Sequence, residues 1–113
     1  MLFILGGALV LAAVAPVMAQ ESDLIAVLQS DASQFDKIEA CRQLSIKGGP
    51  AAVPVLAALL TDEKLSHMAR YALEPMPCAE AGAALRDALG KTTGLLKVGM
   101  INSLAMRDDA EAV

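Results

Sequence analysis

Two stretches of the sequence decide the fold, because they repeat each other: EACRQLSIKGGPAAVPVLAALL at residues 39–60 and MARYALEPMPCAEAGAALRDAL at residues 68–89. A shift of 29 positions superimposes apolar residues on apolar residues. The aligned pairs are Ala40 with Ala69, Leu44 with Leu73, Ala52 with Ala81, Leu56 with Leu85, and Leu60 with Leu89. A period near thirty residues with two apolar stripes in each period predicts a repeat of paired helices.

The repeat extends in both directions along the chain. The same shift run backwards places Leu24 under Val53 and Val27 under Leu56. Further along, a shift of 31 aligns Leu65 with Leu96, Leu73 with Leu104, and Ala81 with Ala112. We therefore expect about three helix pairs after residue 20.

Local signals predict where the helices begin and end. Ser, Thr and Asp favour helix starts, Gly favours helix ends, and Pro stops a helix or occupies its first turn. Seven helices are predicted. The first runs from about Glu21 to Gln29, the second from an N-cap at Ser33 to Gly48, and the third starts near Ala51. The remaining helices run from a cap at Thr61 or Asp62 to Pro75, from Ala79 to Leu89, from Gly94 to Met106, and onward from Asp109.

The composition agrees with an all-α fold. Hydrophobic residues make up 56% of the 113-residue chain, but aromatic residues only 3%. Ala and Leu predominate, and both favour helices, whereas a sheet protein would be richer in Val, Ile, Tyr and Thr. The net charge of −4 argues against a nucleic-acid partner, because binding a phosphate backbone needs a basic face. We expect an all-α protein, an α-solenoid of about three antiparallel helix pairs, over residues 20–113.

The first nineteen residues have the pattern of a secretory signal peptide. An unbroken apolar run from Leu2 ends in Val17-Met18-Ala19, which places small residues at the −3 and −1 positions of a cleavage site. This pattern predicts an exported protein, periplasmic or secreted, with no membrane contact once residues 1–19 are removed. The alternative is an uncleaved membrane anchor formed by residues 2–18, although Gly6, Gly7 and Pro16 disfavour it.

The sixth predicted helix, GLLKVGMINSLAM, is apolar nearly all round. Its clearly polar residues are Lys97, Asn102 and Ser103. Such a helix is buried on more than one side, and a solenoid needs a polar terminal cap. We therefore expect the repeat domain to be truncated at its C-terminus, as the start of a longer array. The alternative is a dimer that buries this face against itself.

Residues 36–113 resemble HEAT-like helical repeats, of the short lyase-type, armadillo-like kind found in large exported bacterial proteins. The features that carry the resemblance are an Ala-Leu-rich first helix ending in Leu59, Leu60 and Asp62, and a second helix with Arg70, Ala72 and Leu73. The resemblance implies an α-solenoid that acts as a binding or scaffolding surface. In the first pair, polar Asp36 and Glu39 replace the apolar Leu65 and Met68, as in a capping repeat.

One helix face carries the candidate functional residues. Leu65, Met68, Ala69, Ala72 and Leu73 form an apolar stripe at helical spacing, and the charged side chains fall on the opposite side. That side is predicted to be solvated, with surface pairs between Glu63 and His67 and between Arg70 and Glu74. The candidate protein-binding face is Glu63, His67, Arg70, Tyr71 and Glu74.

No pattern for catalysis, a cofactor or a metal stands out. One helix face lacks a second element to orient a base, and one His cannot complete a zinc site. GKTTG at residues 90–94 follows a helix and fits a helix–helix turn better than a phosphate loop. Cys41 and Cys78 could form a disulfide in an exported protein or remain as two small, half-buried thiols.

The function expected from these features is a non-catalytic repeat module. It would bind another protein or another domain of its own parent chain, and no small-molecule substrate is indicated. The alternative is an accessory segment of a larger exported enzyme whose catalytic domain lies elsewhere in the parent protein.

Overall fold

A computed structural model describes residues 20–107, and within that range the chain is helical without strands, which confirms the all-α prediction. The predicted signal peptide at residues 1–19 and the predicted seventh helix from Asp109 lie outside the described residues. The helices are α1 (Glu21–Gln29), α2 (Gln34–Lys47), α3 (Val53–Leu59), α4 (Ser66–Leu73), α5 (Ala79–Leu89) and α6 (Gly94–Arg107), and a 3-10 turn at Pro50–Ala52 precedes α3.

The ends of α2 follow the predicted capping chemistry. The Ser33 hydroxyl oxygen accepts a hydrogen bond from the Asp36 amide at 3.1 Å, which satisfies one of the free N–H groups of the first turn. At the other end the Gly48 amide donates to the Leu44 carbonyl oxygen at 2.8 Å. The predicted limits of α2 are therefore confirmed, as are those of α1 and α5.

The start of α4 differs from the prediction by several residues. The Asp62 carboxylate accepts hydrogen bonds from the amides of Lys64 and Leu65, at 2.8 and 3.0 Å, and so organises a turn instead of capping the helix. The helix itself begins at Ser66, whose buried hydroxyl donates to the Leu60 carbonyl oxygen at 2.8 Å. The sequence pattern did not distinguish this turn from a helical one, because a buried Leu65 is compatible with either.

The helices pack in pairs and in two layers. Each odd-numbered helix packs against the helix that follows it: α1 on α2, α3 on α4, and α5 on α6. In addition, α3 contacts both α1 and α5, and α4 contacts both α2 and α6. The odd-numbered helices thus form a first layer, and α2, α4 and α6 form a second layer.

The repeated apolar residues form the core. All the residues aligned between 39–60 and 68–89 are buried except Leu89, which is half-buried. Fully buried leucines such as Leu44, Leu56 and Leu73 each contribute roughly 1.5–3 kcal/mol of hydrophobic free energy. In residues 20–107 no helix combines the length and the hydropathy needed to cross a membrane.

Candidate binding surface

The five residues of the predicted binding face occupy three different environments. Glu63 lies in the turn before α4 and lines an open groove of about 580 Å³ that Lys91 and Leu95 also line. His67, Arg70 and Glu74 lie on the side of α4 that faces α6, and Tyr71 lies on the outer surface of the second layer.

Arg70 is half-buried between α4 and α6. Its Nη1 donates to the Gly99 carbonyl oxygen and to the Ser103 Oγ, both at 3.2 Å. The guanidinium packs so closely on α6 that a Cβ at residue 99 would lie 2.7 Å from the Arg70 Cζ. With glycine at residue 99, the guanidinium can lie in the space that a side chain there would occupy.

Glu74 is also half-buried and is linked to the same group. The buried Ser103 hydroxyl donates to the Glu74 Oε2 at 2.6 Å while it accepts from Arg70. Ser103 therefore joins a carboxylate and a guanidinium, and each of its hydrogen bonds has a charged partner.

The prediction that Arg70 and Glu74 belong to a fully solvated face is thus wrong, because both are half-buried against α6, although Glu74 also lines the open groove beside Tyr71. The helical stripe correctly identified the side of α4 that faces the core, but α4 also has a lateral neighbour, α6. Charged residues beside the stripe contact that neighbour through polar groups of α6. The sequence signal for this contact was the pair of small residues Gly99 and Ser103 on α6.

His67 is exposed, as predicted, but its partner in the structure is Arg70. The His67 Nδ1 lies 3.2 Å from the Arg70 Nη2. A guanidinium has donors only, so Nδ1 is the acceptor and the neutral ring carries its hydrogen on Nε2. The ring therefore accepts a hydrogen bond from the Arg70 guanidinium on its solvent-exposed side.

Arg107 makes a second polar contact between helices that sequence reasoning missed. Its Nη1 donates to the carbonyl oxygens of Leu73, Glu74 and Met76, at 3.2, 3.3 and 2.6 Å, and its Nη2 donates to that of Cys78 at 3.3 Å. The last carbonyls of a helix lack intrahelical partners and carry partial negative charge, which a cation stabilises. Arg107 of α6 thus caps the C-terminal end of α4.

Tyr71, like Glu63 and His67, remains exposed and available to a partner. Its side chain is 48% exposed and lines an open groove of about 440 Å³. The groove is bounded by Ser45 on α2, Pro75 just after α4 and Met106 on α6, so it crosses the whole second layer.

Neither cysteine forms a disulfide, so of the two alternatives the structure has the free thiols. Cys41 is fully buried, and burial raises the pKa of its thiol to about 11. Cys78 is half-buried. A thiol with a raised pKa is a poor nucleophile, because only the thiolate reacts.

The Gly-Lys-Thr sequence after α5 forms a turn, as predicted. The buried Thr92 hydroxyl donates to the Ala88 carbonyl oxygen at 2.8 Å, and Lys91 pairs with Asp87 at 2.9 Å. Both interactions tie the turn to the last residues of α5. Among residues 20–107, no three His, Cys, Asp or Glu side chains come together in a way that could hold a metal ion.

Comparisons with known proteins do not assign this surface. No protein-family model matches the chain, and neither the curated proteins nor the solved structures contain a match.

Proposed function

We propose that this chain is a non-catalytic helical-repeat module, an α-solenoid of three helix pairs similar to HEAT-like repeats. Hydrogen bonds between residues about one repeat apart support this proposal. Gly49 donates to the Glu21 carboxylate 28 positions earlier, at 2.7 Å, and Arg70 donates to Gly99 29 positions later. Stacked repeats place corresponding positions of successive units side by side in this way.

The binding surface in this proposal is the outer side of the second layer, centred on the groove beside Tyr71. The observation that carries it is the exposure of one aromatic and one large aliphatic side chain that line that groove. Met106 is 74% exposed, while Tyr71 is half-exposed. Tyr is enriched among the residues that dominate binding energy, and Met adapts to irregular partners. The partner is another protein or another domain of the parent chain.

The proposal includes export. The small residues at Val17 and Ala19 support cleavage after Ala19, which makes Gln20 the first residue of the mature chain. The Gln20 nitrogen already donates to the Asp23 carboxylate of α1 at 3.1 Å. A free amino group at this position would pair with the same carboxylate.

Site-specific photo-crosslinking tests the binding surface. A photoreactive amino acid replaces Tyr71 in one variant and Ala83, an exposed residue of α5 in the first layer, in a matched control. Each variant is expressed with residues 1–19 included in the organism that naturally produces the protein, and the cells are then irradiated. We expect a discrete crosslinked protein from position 71 and none from position 83. Absence of a product at position 71, or the same products at both positions, would refute the proposed surface.

A further inference from the structure

Cleavage after Ala19 makes a glutamine the first residue of the exported chain, and the structure shows how that residue joins the fold. Gln20 is exposed and lies directly before α1, with an extended backbone. Its carbonyl oxygen accepts hydrogen bonds from the amides of Asp23 and Leu24, at 3.0 and 3.1 Å. The backbone hydrogen bonds that connect Gln20 to the first turn of α1 therefore use its carbonyl group.

The nitrogen of Gln20 has a different partner. It donates to the Asp23 carboxylate at 3.1 Å, and both residues are exposed. In the exported chain this nitrogen becomes an ammonium group at the start of a helix, where the backbone dipole disfavours positive charge. An exposed ion pair adds little stability, so the pair with Asp23 is a weak obstacle to the loss of that charge.

We propose that Gln20 of the exported chain cyclises to pyroglutamate, an inference that rests on the proposed cleavage after Ala19. The uncharged amino nitrogen attacks the side-chain Cδ, and a bond forms between these two atoms. The bond from Cδ to Nε2 breaks, and the displaced nitrogen takes a proton from the amine and leaves as ammonia. No oxidant is needed, and ring closure is favoured because both reacting groups belong to one residue. The product is an uncharged five-membered lactam.

The fold is compatible with this product. Cyclisation consumes the amino group and the side-chain amide of Gln20, and it leaves the carbonyl oxygen bonded to the amides of Asp23 and Leu24. The ring occupies an exposed position, so it displaces no core residue. It also removes a positive charge from the N-terminal end of α1, where the dipole favours negative charge.

The modification protects a contact that lies next to the chain end. The Glu21 carboxylate accepts a hydrogen bond from the Gly49 amide at 2.7 Å, which connects α1 to the turn before α3. Chain termini are preferred sites of proteolysis, and an aminopeptidase acting on a free amino group would remove Gln20 and then Glu21. A lactam offers no free amino group, so the cyclised chain keeps the contact between Glu21 and Gly49.

Mass spectrometry of the N-terminal peptide tests the proposal. The chain is expressed with residues 1–19 in the organism that naturally produces it and is purified from the extracytoplasmic fraction. We expect a peptide that begins at Gln20 and is lighter than the open form by one ammonia molecule. Pyroglutamyl peptidase should then expose Glu21 as a free N-terminus.

The matched control is Gln20→Asn. Asparagine is a good helix cap, but its shorter side chain would have to close a strained four-membered ring, so this variant should keep a free amino group. A parent product that begins at an open Gln20 would overturn the cyclisation and leave the proposed cleavage intact. A product that begins at another residue would refute the cleavage and the cyclisation together.

Incubation with a broad-specificity aminopeptidase tests the protective role. We expect the Gln20→Asn protein to lose Glu21, while the parent protein keeps its N-terminus. Circular dichroism before the incubation confirms that both proteins are folded. Equal trimming of the two proteins, or trimming of neither, would overturn the protection of the Glu21 contact.

Discussion

The guanidinium of Arg70 occupies the space that a side chain at residue 99 would need, since an ideal Cβ there lies 2.7 Å from the Arg70 Cζ and Nε. The two residues are 29 positions apart, and the contact joins corresponding sides of α4 and α6. It is one of the contacts that link the helix carrying the predicted binding face to the helix that follows it in the second layer.

This contact predicts that the effect of Gly99→Ala depends on Arg70. In a helix interior, alanine is more favourable than glycine by about 1 kcal/mol. With Arg70 present, the added methyl group displaces the guanidinium from Gly99 and Ser103, and hydrogen bonds to a charged group are each worth about 1.5–3 kcal/mol. We expect Gly99→Ala to lower the free energy of unfolding by about 1 kcal/mol in the unmodified chain.

In the Arg70→Ala background the same substitution should instead raise the free energy of unfolding, by up to about 1 kcal/mol. Urea denaturation of the two single variants and the double variant measures all the required values. Equal effects of Gly99→Ala in both backgrounds would show that the guanidinium does not occupy this space.

Arg107→Ala should destabilise the protein by about 2 kcal/mol, because it leaves the carbonyl oxygens at the end of α4 without their charged donor. Arg107→Lys should recover part of the loss, since an ammonium keeps the charge but not the planar fork. Urea denaturation is the measurement, and Arg42→Ala is the control. Arg42 pairs with Glu39 on the solvent-exposed side of α2, so its loss should matter much less. A comparable loss at both positions would contradict the capping role.

His67→Ala should change the free energy of unfolding by less than about 0.5 kcal/mol, as for other exposed side chains. The ring is exposed and its contact in the structure is one hydrogen bond to Arg70. Ser103→Ala is the matched comparison on α6, because the buried hydroxyl serves both Arg70 and Glu74, and its loss should cost about 1–3 kcal/mol. The ranking is refuted if thermal or urea denaturation places His67→Ala above Ser103→Ala.

The Cys41 thiol should resist modification in the folded protein. In a Cys78→Ala variant, a thiol reagent at pH 8 should react slowly with the native protein and fast after denaturation. The pKa of Cys41 is raised from 9.0 to about 11 in the folded state. The unfolded chain therefore loses this proton first, and the stability that depends on the protonated thiol is complete below pH 9 and lost as the pH rises through 11.

A Cys41→Ala control should accordingly lose less stability than the parent protein between pH 9 and 11. Rapid labelling of Cys41 in the native state would show that the residue is accessible and would contradict its burial.

The exported protein should begin at Gln20. Intact mass and N-terminal sequencing of the product from the host's extracytoplasmic fraction measure this directly. Ala19→Arg, which replaces the small residue required at the −1 position, should cause the precursor to accumulate. A native product that retains residues 2–18 would instead support the membrane-anchored alternative.

Much of the helix layout follows from short-range physics. Ser33 caps α2 through its own hydroxyl, and Gly48 ends it, because these effects depend on residues within one turn. The buried sides of the helices also follow from local spacing: Leu44, Leu73 and Leu85 repeat at the expected intervals and are fully buried. Such features can be predicted from the sequence without knowing which helices become neighbours.

The lateral contacts are different, because they join residues about thirty positions apart. Sequence periodicity placed Arg70 and Glu74 away from the core-facing stripe and therefore in solvent, whereas the structure places both against α6. Arg107 could not be assigned to the end of α4 either, since nothing in its own helix indicates which carbonyl oxygens it reaches. Of the candidate face, Arg70 and Glu74 are therefore partly engaged inside the protein, whereas Glu63, His67 and Tyr71 stay exposed.

By itself, then, the sequence determined the helical class, most helix ends and the residues that face the core, because backbone capping and apolar spacing act over a few residues. Only the tertiary structure decided which charged side chains form contacts between helices and which remain exposed to a partner. That choice depends on contacts between α4 and α6, because the Arg70 guanidinium packs where Gly99 has no side chain and donates to the Ser103 hydroxyl, about one repeat away in sequence.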